Sequence, residues 1–247
     1  MRSSSGERRW PARYLPVGDR GLTVELGDAI DDEINARVHL LARKIERELA
    51  EDVEEVVPTY RSLLVLFDPL RVTRASLIAR IDALLTDLAR RAARRQGGGR
   101  VIEIPVCYGG EYGPDLAFVA EHNGLTTDEV ITLHSAPDYR VFMLGFTPGF
   151  PYLGGMSPRI AAPRLDQPRP RIAAGTVGIA GPQTGIYPVE SPGGWRLIGR
   201  TPLRLFDPAA ESPFLVAAGD TLRFRKIAPG EFERLSAGAS AAPGGGA

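Results

Sequence analysis

The residues best suited to chemistry lie between residues 134 and 208, where glycine, proline and aromatic side chains are concentrated. Four glycines recur there at short spacings, namely Gly175, Gly178, Gly181 and Gly185. Glycines can turn successive backbone N–H groups toward one point, which makes a site for a phosphate or a carboxylate. Gln183 and Thr184 would then orient a small ligand at the tip of the same loop. Tight turns of a β-barrel would need the same glycines, so both interpretations stay open.

A second motif, Phe146-Thr-Pro-Gly-Phe-Pro-Tyr-Leu, places three aromatic side chains around a Pro-Gly turn. It includes Phe150 and Tyr152. The cluster is either a hydrophobic plug at the mouth of a barrel or an apolar wall for a ligand or a partner protein, since aromatic residues are enriched at the centres of interfaces.

The loop that begins at Ser191 has the same ambiguity. It reads Ser191-Pro-Gly-Gly-Trp and includes Gly193, Gly194 and Trp195. Ser191 lacks a Gly-x-Ser-x-Gly context and is therefore not predicted to be a nucleophile.

Arginines follow prolines at regular intervals in the segment between these motifs. They are Arg159, Arg164 and Arg169, with Arg171 close behind. An extended Pro-rich backbone exposes such side chains to solvent, which is their ordinary role. If a nucleotide binds, the same guanidinium groups are its natural phosphate donors, and Arg164 is taken as the candidate.

His134 is the candidate acid or base, because an imidazole titrates near neutral pH. A histidine at a helix end that bonds a backbone group is equally ordinary. The three histidines have no metal-ligand spacing, so no metal site is predicted. The single cysteine, Cys107, excludes an intrachain disulfide.

Thirty basic and thirty acidic side chains give the 247-residue chain no net charge. This balance argues against electrostatic capture of nucleic acid or of an anionic membrane. The sequence has no apolar run long enough to span a bilayer, and its first ten residues lack the apolar core of a signal peptide. We expect a soluble, cytoplasmic protein.

Residues 11–95 are predicted to form an α+β domain of two layers. Alternating apolar residues mark strands near residues 13–17, 21–26, 53–59 and 62–67, and apolar spacings of three and four mark helices from Asp31 to Ala50 and from Thr73 onward. Residues 96–100, with Gly97-Gly-Gly among arginines, are predicted to be a flexible linker. A solvated helix end explains these arginines better than a nucleic-acid patch does.

Residues 101–230 are predicted to form a closed or nearly closed β-barrel, because many short strands there are separated by Gly and Pro turns. Two of the predicted strands run from Leu203 to Phe206 and from Phe214 to Ala217. Thr126 and Glu129 match a capping box at the start of a helix that ends near His134. Residues 231–247, rich in Ala, Gly and Ser, are predicted to be disordered.

Three long motifs carry a resemblance to a known family. They are Gly145-Phe-Thr-Pro-Gly-Phe-Pro-Tyr-Leu-Gly-Gly, Gly178-Ile-Ala-Gly-Pro-Gln-Thr-Gly-Ile-Tyr-Pro and Ser191-Pro-Gly-Gly-Trp-Arg-Leu-Ile-Gly-Arg-Thr-Pro. In content and order they resemble the B-type subunit of bacterial ATP-dependent 5-oxoprolinase, a family that includes the kinase inhibitor KipI and is also labelled allophanate hydrolase subunit 1. The resemblance covers nearly all of residues 12–228 and implies an α+β domain followed by a cyclophilin-like β-barrel. The same barrel module occurs in the carboxyltransferase part of urea carboxylase.

The resemblance also implies a hydrolase subunit that is inactive alone. With two partners, a homologous C-type subunit and an A-type subunit, it would open the lactam of 5-oxo-L-proline to L-glutamate, using ATP shared with the partners and Mg²⁺ bound with the nucleotide. The candidate substrate- or nucleotide-binding residues are Phe150, Tyr152, Gly178, Gly181, Gln183, Thr184, Ser191, Gly193, Gly194, Trp195 and Arg164, in a barrel mouth completed by the C-type subunit. The alternatives are a KipI-like inhibitor of a histidine kinase and a subunit that processes allophanate or urea.

Overall fold

The computed structural model describes residues 10–92 and 100–240. Its contacts divide the chain into two compact units, residues 1–98 and 99–247. The division falls inside the segment predicted as a linker, of which residues 96–99 lie outside the described residues. No helix in the described ranges is both long and apolar enough to cross a membrane.

The first unit is a four-stranded antiparallel sheet with two helices. Its elements are β1 (Arg13–Val17), β2 (Gly21–Glu25), α1 (Asp32–Glu48), β3 (Val53–Pro58), β4 (Ser62–Phe67) and α2 (Arg74–Ala92). The strand order is β1-β2-β4-β3. Side chains of both helices and of the inward face of the sheet share one apolar core. This core is the reason for the apolar periodicity of two in the strands and of three to four in the helices.

The second unit is built around a closed barrel. Its elements are β5 (Val101–Tyr108), α3 (Leu116–His122), α4 (Thr127–Ser135), β6 (Asp138–Leu144), β7 (Pro151–Gly154), β8 (Arg169–Ile172), β9 (Thr176–Ala180), β10 (Gln183–Ile186), β11 (Ser191–Gly193), β12 (Arg196–Arg200), β13 (Thr221–Lys226) and α5 (Pro229–Ser240). The barrel order is β10-β7-β6-β13-β5-β12-β9, and β8 pairs with β11 in a separate ribbon. The prediction of an α+β domain followed by a β-barrel is confirmed.

Local signals position the helices of this unit. At the start of α4, the Thr126 hydroxyl accepts from the Glu129 N–H, and the Glu129 carboxylate accepts from the Thr126 N–H, so the predicted capping box is present. Buried residues of α3 and α4 join the apolar core inside the barrel. Both helices therefore contribute to the core of the barrel.

Two predictions for this unit are wrong. Residues up to Ser240 form α5 rather than a disordered tail. Phe232 packs with Ile227 and Cys107 and so anchors this segment, whose alanines favour a helix. Residues 241–247 of the predicted tail lie outside the described part. The segments predicted as strands at 203–206 and 214–217 form only an isolated bridge between Phe206 and Phe214. Their alternating apolar residues pack as a loop whose two phenylalanine rings stack at 5.2 Å.

Candidate functional site

Two paired glycines make a flat surface on the outside of the barrel. Gly178 of β9 lies directly opposite Gly185 of β10. A Cβ at Gly185 would lie 2.8 Å from Cζ of Phe150, and one at Gly178 would lie 3.1 Å from Cβ of Trp195. The neighbouring Ile179 points into the core of the barrel, so alternation places these glycines on the outer face. The glycines are needed there because aromatic rings lie on the strands.

The rings form an aromatic cluster of Phe150, Tyr152, Tyr187 and Trp195. The Phe150 ring packs edge to face against the other three, at centroid distances of 5.2, 5.6 and 5.4 Å. Phe150, Tyr187 and Trp195 are buried. Burial raises the pKa of Tyr187, so its phenol is neutral. Phe150 and Trp195 are therefore packed residues. They do not line an open mouth of the barrel, which is the position predicted from the sequence.

The glycines do not form the predicted anion site. The N–H of Gly175 donates to the Tyr187 carbonyl and that of Gly181 to the Ala162 carbonyl, each at 2.7 Å. Gly178 and Gly185 lie within paired strands. Gly181, at φ 56°, precedes Pro182 in the two-residue turn between β9 and β10. Turns of this kind demand glycine at the first position, so the motif encodes a hairpin.

Gln183 and Thr184 are likewise not at a loop tip. Gln183 begins β10, opposite Ala180, and is partly exposed. The side chain of Thr184 is fully buried, and its hydroxyl donates to the Gly178 carbonyl at 3.0 Å. Thr184 therefore cannot contact a ligand at the surface, and only Gln183 of this pair is accessible.

His134 occupies the interior of the barrel rather than a catalytic position. Its Nε2 lies 2.9 Å from Oγ1 of Thr184, and its Nδ1 lies 2.8 Å from the hydroxyl of Tyr108. Because the single proton of Thr184 is donated to Gly178, Nε2 carries the imidazole proton and Nδ1 accepts from Tyr108. Burial lowers the pKa of His134 from 6.5 to about 3. The candidate acid or base is thus a neutral, fully bonded core residue.

Two of the four arginines between the motifs are paired with carboxylates. Arg169 forms two hydrogen bonds of 2.9 Å with buried Asp115. Arg171 pairs in the same way with Glu190, at 3.1 and 2.9 Å. Arg164 is exposed, and its guanidinium carbon lies 6.0 Å from the centroid of the Trp195 ring. Of these candidates, Arg164 is the one that stands beside the aromatic cluster with its charge accessible.

The Ser191 loop braces the aromatic cluster. A Cβ at Gly193 would lie 2.3 Å from the Tyr187 hydroxyl, which explains the glycine. The Gly194 carbonyl accepts from the N–H of Leu165 at 2.7 Å. The Ser191 hydroxyl is buried and has no hydrogen-bond partner among the described residues. Ser191 lies opposite Ile172 on β8, a member of the same core, so the loop closes the outer face of the barrel.

The most exposed aromatic side chain of the motifs is Phe146, which is 66% accessible. Its φ of 65° is the one positive value at a non-glycine residue in the described ranges. The N–H of Thr147 donates to the Gly145 carbonyl at 2.8 Å, which closes a γ-turn around Phe146. The following turn has Pro148 and Gly149, at φ 83°, as its central residues, and fits type II. This loop, residues 145–150, is named the Phe146 loop.

A groove of about 530 Å³ adjoins the Phe146 loop. Its wall includes Pro188, Pro202, Phe206 and Phe232, and Arg200 contributes a charge. A Cβ at Gly149 would lie 3.2 Å from Cβ of Phe206 and 3.5 Å from Cβ of Pro188, so loop and groove are neighbours. Sequence reasoning missed the groove. The available signal was the position of Pro188 and of Arg200-Thr-Pro at the ends of two of the long motifs.

The described residues contain no group of three or more His, Cys, Asp or Glu that could hold a metal ion. Cys107 is a free, buried thiol, and burial raises its pKa. Neither feature adds a reactive group to the groove.

A family model described as carboxyltransferase domain, subdomain C and D, matches residues 12–216. Proteins named as the B-type subunit of 5-oxoprolinase are similar to the chain. The one from Bacillus subtilis (strain 168) is 44% identical, with 87% of this chain and 93% of that protein aligned, and the one from Escherichia coli O157:H7 is 41% identical, with 86% and 95% aligned. The crystal structure of TTHA0988 has a TM-score of 0.76 and 41% identity over 85% of this chain. The chain spans 40% of the length of TTHA0988.

Proposed function

The chain belongs to the family of carboxyltransferase domains, subdomain C and D, and from that membership we propose that it is one component of an ATP-dependent 5-oxoprolinase complex. The observation that carries the proposal is 41–44% identity, over nearly the full length of both chains, to proteins named as the B-type subunit of 5-oxoprolinase. In this role the chain would help to open the lactam of 5-oxo-L-proline to L-glutamate, together with a C-type and an A-type subunit.

The residues predicted to bind the nucleotide do not fit a nucleoside triphosphate by themselves. Arg169 and Arg171, two of the expected phosphate donors, are neutralised by Asp115 and Glu190. Arg164 alone leaves one accessible cation beside the aromatic cluster, whereas a triphosphate with its metal needs several donors. We therefore assign ATP and Mg²⁺ to the partner subunits and derive no step on this chain from them.

What this chain would supply is a rigid surface. The aromatic cluster and the paired glycines fix the outer wall of the barrel, and the Phe146 loop projects beside the groove. An exposed phenylalanine on a short, hydrogen-bonded loop suits the centre of a protein interface. A partner protein that covers Phe146 would also close the neighbouring groove. This arrangement favours a shared site over a catalytic centre within the chain.

The test is a reconstitution assay with the purified chain and the C-type and A-type subunits from the same source. ATP turnover and glutamate release are measured for each protein alone, for each pair and for the complete mixture, with 5-oxo-L-proline, allophanate or urea as substrate. We expect ATP turnover coupled to glutamate only in the complete mixture with 5-oxo-L-proline. Stimulation by allophanate or urea instead would assign another substrate. No stimulation by any of the three, together with specific inhibition of a histidine kinase, would replace the enzyme role by a regulatory one.

A further inference from the structure

The groove at the end of β12 combines an apolar wall with one oriented cation. Pro188, Pro202, Phe206 and Phe232 contribute apolar surface, and Arg200 lies among them. Its volume of about 530 Å³ is within the range of roughly 300–1,000 Å³ that is usual for small-molecule sites. We propose that this groove binds 5-oxo-L-proline, with Arg200 holding the carboxylate and the apolar wall contacting the ring; the choice of ligand rests on the proposed function.

Arg200 is oriented for this role by the backbone. Its Nε donates to the carbonyl of Ala174 at 2.9 Å, and Ala174 itself lines the groove. This bond fixes one edge of the guanidinium plane and leaves the two terminal amino groups for a ligand. No carboxylate in the described ranges forms an ion pair with Arg200. Two parallel N–H groups on one edge match the two oxygens of a carboxylate, which a lysine could not reproduce.

The other charges of the groove are already neutralised. Arg204 pairs with Asp207 at 3.0 Å, and Glu190 pairs with Arg171. A ligand carboxylate would therefore meet a local positive charge at Arg200, while the other charged side chains of the groove are occupied by their own partners. This charge complementarity selects an anionic ligand over a neutral amide such as urea.

The apolar wall fits a compact ring. Pro188 and Pro202 have no backbone N–H to leave unpaired, and their rings are rigid, so little conformational entropy is lost when a ligand binds. Phe206 is held by its stacked contact with Phe214, and Phe232 by its contact with Tyr112. These supports fix the wall before a ligand arrives.

The groove is formed entirely by residues of this chain, so the isolated protein should bind the ligand. The experiment is a titration of the ¹⁵N-labelled full chain, followed by amide chemical shifts, with 5-oxo-L-proline and with 2-pyrrolidone, which has the same lactam but no carboxylate. We expect 5-oxo-L-proline to shift the amide resonances of residues 174, 189–190, 200–201 and 203–207, and 2-pyrrolidone to bind about tenfold more weakly or worse.

Arg200→Met should weaken binding of 5-oxo-L-proline by about tenfold or more, since it keeps the apolar stem and removes the charged donors. The matched control is Arg196→Met, on the same strand, because Nε of Arg196 also donates to a carbonyl, that of Pro163, but its side chain lies over Phe118. The control should bind within about twofold of the unchanged protein.

The proposal is overturned if the ligand shifts no groove resonance, if 2-pyrrolidone binds equally well, or if Arg200→Met binds like Arg196→Met. These results are independent of the reconstitution assay. An active complex whose isolated B-type component fails the titration retains the proposed function and loses this site. Binding at the groove with no activity in any mixture of the proteins retains a carboxylate site and removes the oxoprolinase role.

Discussion

Phe146 combines three properties that rarely occur together in one residue: a positive φ, a γ-turn and an exposed aromatic ring. A bulky L-residue in this conformation costs about 1–2 kcal/mol relative to its preferred backbone regions. Glycine would adopt the same φ without that cost. Within the chain the ring packs edge to face against Phe150 at a centroid distance of 5.7 Å, yet it stays 66% exposed, so most of its surface is available to a partner.

Phe146→Gly should separate stability from association. We expect the free energy of unfolding of the isolated chain to change by less than about 1 kcal/mol, because relief of the backbone strain is offset by the loss of the edge-to-face contact with Phe150 and by the greater freedom of glycine in the unfolded chain. We expect the affinity for the C-type partner to fall by about tenfold or more, because a central aromatic contact is lost. Urea unfolding measures the first quantity and sedimentation of the mixed proteins measures the second.

Leu70→Ala is the control for a general loss of apolar surface, since Leu70 is 95% exposed in the first unit. It should leave the association with the C-type partner unchanged. Full retention of affinity by Phe146→Gly would show that the Phe146 loop is not part of the interface.

At the scale of elements, periodicity predicted the strands and helices of the first unit well. Strands β2 and β4 and helix α1 each have a more buried and a more exposed face, so a period of two or of about four is visible in their apolar residues. Helix α4 had its capping box as a local signal.

The strands from β7 to β11 were not predicted, because they have no amphipathic pattern. All five residues of β9 are buried, the core of the barrel lying on one side and the aromatic cluster on the other. Gly178 and Gly185, whose type suggests a loop, lie in paired strands directly beneath the aromatic cluster. The same geometry explains why Phe150, Thr184 and Trp195 were assigned to a ligand site: residue types that suit a pocket also suit a tightly packed wall.

Gly185→Ala tests whether the packing of the aromatic cluster on the β9–β10 hairpin requires glycine at this position. The added Cβ would lie 2.8 Å from Cζ of Phe150 and 3.2 Å from the Pro151 carbonyl oxygen, so the ring or the strand must shift. We expect the free energy of unfolding to fall by about 1–3 kcal/mol, as in other overpacked cores. The emission of Trp195 should change as well, because its ring packs against Phe150.

Gly230→Ala is the matched control for this substitution. Gly230 lies in α5, and a Cβ there would meet no heavy atom within 4 Å. Alanine should leave stability unchanged or raise it slightly, because it favours a helix. Equal stability of Gly185→Ala and Gly230→Ala would contradict the assigned role of the paired glycines.

At the scale of the whole molecule, each of the two compact units has its own apolar core. Each also has one tryptophan in the described ranges, Trp10 in the first unit and Trp195 in the second. In a Trp10→Phe background, fluorescence therefore reports unfolding of the barrel unit alone. With this probe, the free energy of unfolding of the barrel unit can be related to the protonation of one residue inside the barrel.

That residue is His134, whose pKa falls from 6.5 to about 3 because the barrel core excludes the charged imidazole. The unfolded chain takes up a proton near the ordinary pKa, and the folded barrel does not, so stability is complete above about pH 6.5 and falls as the pH decreases. The expected loss between pH 8 and pH 5 is about 2 kcal/mol. Lowered pKa values of Glu129, Asp138 and Asp220 affect stability only at more acid pH, below their ordinary values of 4.5 and 3.8. Urea unfolding across this range, followed by Trp195 emission, should therefore show a pH dependence that His134→Gln removes. The same pH dependence in both proteins would mean that His134 is not the buried neutral residue described above.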